Sequence, residues 1–122
     1  MEHIGIDLGA KHSHIVVMTP AAEVSLRTRL ETSRLPRWLS DRAACRVVME
    51  ACTQSPAIAR ASRAAGHETV VVPTNLVRAL GVGARGIKTD DRDAEVLARA
   101  SVRNEARGAR SRPPSRAGSE AG

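Results

Sequence analysis

Apolar and polar residues alternate along the first part of the chain, and this alternation predicts three consecutive β-strands. Residues 3–8 form the first strand, with Ile4 and Ile6 on one face, and residues 14–18 form the second. Residues 23–31 alternate strictly between apolar and polar side chains, which is the period-two pattern of a half-exposed strand. Because the links between these strands are short, we expect an antiparallel meander.

Beyond residue 32 the pattern changes to strands separated by helices. Ser55 followed by Pro56 is a favourable helix start, and Gly66 is a favourable helix end. The other predicted elements are a short helix carrying Leu35, Trp38 and Leu39, strands at 46–51 and 68–72, a short helix at 75–80, and a last helix from Thr89 to about Val102. The order β-β-β-α-β-α-β-α predicts an α/β fold, with a mixed five-stranded sheet flanked by helices.

The composition indicates a single domain and favours a polyanionic partner, nucleic acid first and an anionic membrane second. The chain has 122 residues, 42% of them hydrophobic, and a net charge of +6, and a basic balance favours polyanionic partners. Cys45 and Cys52 do not form a CxxC pair, so we expect reduced thiols and no zinc site. Neither a secretory signal nor an apolar run of membrane-spanning length is recognisable, which predicts a cytoplasmic protein without a membrane partner.

The end of the chain differs in composition from the rest. Beyond Asn104 the sequence consists mainly of Arg, Gly, Pro, Ser and Ala without apolar periodicity, and residues 103–122 hold five arginines and two glutamates. This composition predicts disorder. We therefore expect one folded domain over residues 1–103 and a disordered tail over residues 104–122.

Two acidic residues follow apolar runs at the ends of predicted strands. Asp7 ends the first strand and Glu50 ends the fourth. A carboxylate in such a place is costly unless a partner compensates its charge, and functional groups gather past the carboxyl ends of parallel strands. Taken singly, Asp7 is explained as a turn residue and Glu50 as a strand-end salt bridge.

The start of the last helix adds two more acidic residues. Asp90 and Asp93 are three residues apart and share a helix face with Ala94 and Leu97, which we expect to pack on the sheet. Asp91 is expected to face water. The helix macrodipole explains acidic residues at a helix N-terminus, but it does not explain two of them on the inward face.

Carboxylates that converge at one sheet edge favour a divalent cation, because the cation neutralises their mutual repulsion. Ligands that are all oxygen suit Mg²⁺ or Mn²⁺. Two such ions about 4 Å apart can hold the attacking and leaving oxygens of a phosphodiester. The acids, the metal and the basic charge together indicate metal-dependent chemistry on nucleic acid.

Three segments, IGIDLGAKHSHIVV, VVMEAC and GVGARGIKTDDRDAEVLA, resemble the DEDD transposases of the IS110 group and the related Piv-type DNA invertases. The resemblance covers roughly residues 3–102. It implies an RNase H-like (RuvC-like) domain for DNA transposition that cuts DNA and transfers strands. It also implies that Asp7, Glu50, Asp90 and Asp93 are the catalytic and Mg²⁺- or Mn²⁺-binding residues. DNA, a guide RNA and further copies of the chain are the implied partners.

The resemblance also implies a second part of the enzyme, a C-terminal domain that supplies a nucleophilic serine. Nothing after Asn104 resembles that domain, and the serines of the tail lie in biased sequence. We expect the chain to be a truncated copy or a fragment. On this reading it binds metal, and weakly nucleic acid, but performs no recombination alone.

Three other readings stay open. An actin-like or sugar-kinase ATPase fragment shares the opening Ile-Gly-Ile-Asp-Leu-Gly, and nucleotide-dependent thermal stabilisation would support it. A structure-specific nuclease of the Holliday-junction resolvase type shares the acids and metals, and cleavage of a four-way junction would favour it. The third reading is a folded remnant that catalyses nothing.

The histidines and lysines give no separate motif. Lys88 either contacts phosphate or is a solvated lysine beside a helix start. His3, His12 and His14 are expected at the surface, and His67, after the helix-ending glycine, is expected to be exposed.

Overall fold

The computed structural model describes residues 1–75 and 92–111, and in the last helix it describes side chains as far as Glu105. The strands are β1 (His3–Asp7), β2 (His12–Met18), β3 (Val24–Glu31), β4 (Arg46–Glu50) and β5 (Glu68–Val72). A 3-10 turn (Thr32–Arg34) leads into α1 (Leu35–Ser40), and α2 (Ser55–Ala64) and α3 (Arg92–Ser111) follow. The elements predicted from the pattern are therefore present in the predicted order. Of the helix predicted at 75–80 only Asn75 is described, and it is helical; the rest of that helix and the start predicted at Thr89 lie outside the described residues.

The strands form one mixed sheet in the order β3-β2-β1-β4-β5. β1 pairs antiparallel with β2, and β2 with β3, so the predicted meander is confirmed. β1 pairs parallel with β4, and β4 with β5, through crossovers that contain α1 and α2. The predicted α/β class with a mixed five-stranded sheet is confirmed.

One face of the sheet packs against α1 and α2. Alternate residues of β1, β2 and β4 point to this face, as the period of a strand requires. The buried cluster consists of Ile4, Ile6, Ile15, Val17, Leu35, Leu39, Cys45, Val47, Met49, Ile58 and Ala59. With no Phe or Tyr in the chain, this core is built almost entirely from aliphatic side chains.

The other face of the sheet packs against α3. Ala94 and Ala98 contact Val16 and Met18 of β2, while Leu97 packs with Val48 and Val72. Small residues on the helix let it approach the sheet closely. At Gly5 the approach is so close that an added Cβ would collide with the carbonyl oxygen of Ala94 and lie 2.6 Å from the backbone nitrogen of Ala98.

The last helix extends past its predicted end at about Val102 and continues to Ser111, so that part of the sequence prediction was wrong. Two causes favour the longer helix. Residues 103–111 are rich in Ala and Arg, which are strong helix formers. Glu105 also reaches the buried ring of His3, with 2.7 Å between Oε1 and Nε2, although the geometry is not that of an aligned hydrogen bond. Residues 112–122 of the predicted tail lie outside the described residues.

Two histidines expected at the surface are buried. His3 is fully buried, and its Nδ1 lies 2.7 Å from the hydroxyl of Ser101 on α3. His67 is 4% exposed: the backbone N–H of Cys45 donates to Nδ1, so Nε2 must be the nitrogen that donates to the carbonyl of Leu39. Each ring lies within hydrogen-bonding distance of polar groups on other secondary-structure elements, and a local sequence pattern does not reveal such a role.

Within the described residues, no helix combines the length and the apolar composition that crossing a membrane requires.

We predict that Gly5→Ala lowers the free energy of unfolding by about 3 kcal/mol, because the new methyl group must displace the backbone of α3. Gly66→Ala is the matched control: its site is open, so only the strain of a φ of 95° opposes the substitution, at about 1–2 kcal/mol. Urea denaturation followed by circular dichroism measures both. A Gly5→Ala protein as stable as wild type would contradict the close contact between α3 and β1.

Candidate active site

Asp7 is the last residue of β1 and lies on the sheet face that α3 covers. His3 and Gly5 precede it at alternate positions, and both contact α3. Because side chains at alternate positions of a strand share a face, Asp7 points to the same side. The Asp7 residue is half-buried.

Glu50 ends β4, the strand next to β1, at the same edge of the sheet. The two strands are parallel, and Ile6 pairs with Met49, so Asp7 and Glu50 follow equivalent positions. Val48, at the alternate position before Glu50, packs against Leu97 of α3. Glu50 therefore shares both the edge and the face of Asp7.

Asp93 comes from the first turn of α3, which runs antiparallel to β1. Ser101 lies near the start of β1 and Ala94 lies over its middle, so the N-terminal turn of the helix extends towards the end that bears Asp7. The predicted inward stripe of Ala94, Leu97, Ala98 and Ser101 is buried. One carboxylate oxygen of Asp93, Oδ1, is buried and has no hydrogen-bond partner among the described residues.

The fold thus brings three of the four predicted acids to one edge, but it does not bring them into contact as a group. Within residues 1–75 and 92–111, no three His, Cys, Asp or Glu side chains meet closely enough to hold a metal ion. The fourth acid, Asp90, lies outside the described residues, as do Asp91 and Lys88. The convergence of all four carboxylates stays a prediction.

A group of three charged residues fixes the start of α3 above the sheet. Glu95 lies 2.7 Å from Arg99 one turn along the helix and 2.8 Å from Arg27 of β3. Hydrogen bonds from Arg99 and then Arg27 lower the pKa of the Glu95 carboxyl below its usual value. The i,i+4 pair is visible in the sequence, but the link to Arg27 depends on the tertiary fold and was missed.

Two polar residues continue the line of Asp7 across the sheet. His14 of β2 is the direct partner of Asp7, and Arg29 of β3 is the direct partner of His14. Paired residues of neighbouring strands point to the same face. The sheet edge therefore presents Glu50, Asp7, His14 and Arg29 in one row, with His14 half-buried and Arg29 exposed.

The amino-acid sequence of the chain matches the model of a known family. Residues 4–120 match the model of the DEDD transposases of the IS110 type, described as transposase. The chain belongs to the IS110-type DEDD transposase family. The resemblance noted from the sequence is thereby confirmed, and this chain is a transposase domain.

The fold is also similar to that of a solved resolvase structure. The structure of T. thermophilus RuvC in complex with Holliday junction substrate superposes with a TM-score of 0.60 at 16% sequence identity. The match covers 87% of this chain and 96% of the RuvC chain. At this identity the likeness supports the RNase H-like fold. No curated protein matches the chain.

We predict that Glu95→Gln lowers the free energy of unfolding by about 1 kcal/mol at pH 7, because a neutral amide loses two charge-assisted hydrogen bonds. The folded-state pKa of Glu95 is lowered, so its contribution to stability is present above the unfolded pKa and is lost as the pH falls through the lower folded value. Thermal melts of both proteins between neutral and strongly acidic pH test this.

The control is Glu23→Gln, at an exposed position of the turn between β2 and β3. Its melting temperature should equal that of wild type at neutral pH. The stabilising role of the Glu95 carboxylate is contradicted if the Glu95→Gln protein melts like wild type at neutral pH. It is also contradicted if the difference between the two melting temperatures increases as the pH is lowered.

Proposed function

We propose that this transposase domain binds Mg²⁺ or Mn²⁺ through Asp7, Glu50, Asp90 and Asp93 and that this site cuts DNA and joins strands during transposition. The observation that carries the proposal is the buried Oδ1 of Asp93, which has no hydrogen-bond partner within the described residues. A buried carboxylate oxygen is costly unless a donor or a cation compensates it.

The donor set fits a hard divalent cation. All four proposed ligands are carboxylates, and oxygen ligands select Mg²⁺ and Mn²⁺ over softer metals. When bound, such ions polarise a phosphodiester and stabilise the charge on the attacking and leaving oxygens. The role of the chain is to hold the carboxylates at fixed positions, with Asp7 and Glu50 on neighbouring strands and Asp93 on the helix above them.

DNA is the proposed partner. Family membership and the net charge of +6 support it, and the similar RuvC structure holds a Holliday junction. A guide RNA and assembly with further copies of the chain are part of the same proposal, because the family resemblance implies both. Action in the cytoplasm is also part of this proposal.

A second candidate function is structure-specific cleavage of four-way junctions, which the similarity to RuvC favours. The two functions share the acids and the metal but differ in substrate. Incubation of the chain with Mg²⁺ and labelled DNA distinguishes them. Cleavage of a four-way junction, with no cleavage of a linear duplex of the same sequence, would favour the resolvase function.

The metal site is tested by isothermal titration calorimetry with Mn²⁺. We expect Asp93→Asn to weaken Mn²⁺ binding by at least about tenfold, because the amide removes an anionic ligand. The matched control is Asp41→Asn, at an exposed acid that pairs with Arg37 at the end of α1. It removes the same charge from the opposite face and should leave Mn²⁺ affinity unchanged. Equal Mn²⁺ binding by wild type and Asp93→Asn would contradict the proposed site.

A further inference from the structure

The row of paired residues across the sheet ends in a basic group. Strands in a sheet lie about 4.8 Å apart, so the Cα of Arg29 is roughly 10 Å from that of Asp7, with His14 between them. All three side chains project on the same side of the sheet. A group bound at Asp7 would therefore have His14 and Arg29 as its lateral neighbours on this side.

Arg29 differs from the neighbouring arginine on the same strand face. Arg27 is engaged by Glu95 at 2.8 Å. Arg29 is exposed and forms no ion pair with any residue that the structure describes. The nearest acid on its own strand face, Glu31, lies 3.5 Å from Arg34. The charge of Arg29 is thus not used by a salt bridge in the described part of the fold.

Further basic side chains lie on the surface around Arg29. Arg29 and His12 line one open depression, and His12 and Lys11 line the neighbouring one. Lys11, in the link between β1 and β2, is exposed and likewise forms no ion pair within the described residues. Glu31 also lines both depressions, and Arg34, which lines the first, lies 3.5 Å from its carboxylate. That leaves Arg29 and Lys11 as the cations without an acidic partner within the described residues, and open, shallow depressions with such cations suit a chain of phosphates better than an enclosed small molecule.

From this juxtaposition we infer that His14 and Arg29 form a phosphate-binding subsite that holds the DNA backbone beside the phosphate that is cut. The inference rests on the proposed function, since it takes the acids at Asp7 as the place of cleavage. His14 donates an N–H to a phosphate oxygen, and the Arg29 guanidinium binds the next phosphate along the strand through two parallel hydrogen bonds.

The spacing of DNA is compatible with this subsite. Successive phosphates of one strand are separated by about 3.4 Å along the helix axis and by more than that in space, because the backbone winds round the axis. The roughly 10 Å between the Cα atoms of Asp7 and Arg29 therefore spans at most about three nucleotides. Contacts to phosphate fix the position of a strand without reading its sequence. His14 and Arg29 are therefore positioning residues, and their loss should weaken binding equally for different DNA sequences.

The test is fluorescence anisotropy of a labelled DNA duplex with the 122-residue chain in Mg²⁺ buffer, for wild type, Arg29→Gln and Arg60→Gln. Arg60 is exposed on α2, which packs on the opposite face of the sheet, so the control removes an equal charge elsewhere. One lost phosphate contact reduces the salt slope by about one. The ratio of the Kd of Arg29→Gln to the Kd of wild type should then fall by about 3.5-fold as the salt concentration rises from roughly 50 to 200 mM.

The predicted result is weaker DNA binding with a shallower salt slope for Arg29→Gln alone, together with unchanged Mn²⁺ binding in calorimetry. Equal losses in Arg29→Gln and Arg60→Gln would overturn the subsite, because only the net charge would then matter. Unchanged DNA binding by Arg29→Gln, or a loss of its Mn²⁺ binding, would also overturn it. If the proposed metal site is wrong, Asp93→Asn will bind Mn²⁺ as wild type does, and this result is distinct from every outcome for Arg29→Gln.

Discussion

The close contact between α3 and β1 is the constraint on which the candidate site depends. Gly5 leaves no room for a side chain beneath the backbone of Ala94 and Ala98, so the helix can lie directly on the central strand. The contact sets the distance between α3 and the sheet. Because α3 runs antiparallel to β1, the first turn of α3 lies over the end of β1 that bears Asp7. An acid on that turn, Asp93, is thereby held at the sheet edge that also bears Asp7 and Glu50.

Polar contacts at two places along α3 restrict its rotation and sliding. At the start, Glu95 pairs with Arg27 of β3, and further along Ser101 lies within hydrogen-bonding distance of the buried His3. Apolar packing through Ala94, Leu97 and Ala98 alone would tolerate small shifts, because small side chains have few specific interlocking contacts. Directional contacts to different strands define one register, which a site made from two strands and a helix requires.

Much of this could be predicted from the sequence, because the relevant signals are local. Period-two alternation identifies the strands, and the segments IGIDLGAKHSHIVV, VVMEAC and GVGARGIKTDDRDAEVLA identify the family. The metal chemistry of the acids stays a prediction. What depends on contacts distant in sequence could not be predicted. His67 is buried because Cys45 and Leu39 converge on its two ring nitrogens, and Arg27 meets Glu95 only after folding. The extent of α3 was underestimated because Arg, Ala and Gly were read as a tail, although Ala and Arg also favour a helix.

We propose that acids on two strands and one helix share a divalent cation. The most direct measurement is the anomalous difference map of a crystal of this chain soaked in Mn²⁺. We predict a peak at the sheet edge, roughly 2.0–2.3 Å from carboxylate oxygens of Asp7, Glu50 and Asp93. An ordered Mn²⁺ elsewhere on the protein, with the Asp93 carboxylate uncoordinated, would contradict a metal site shared by these acids.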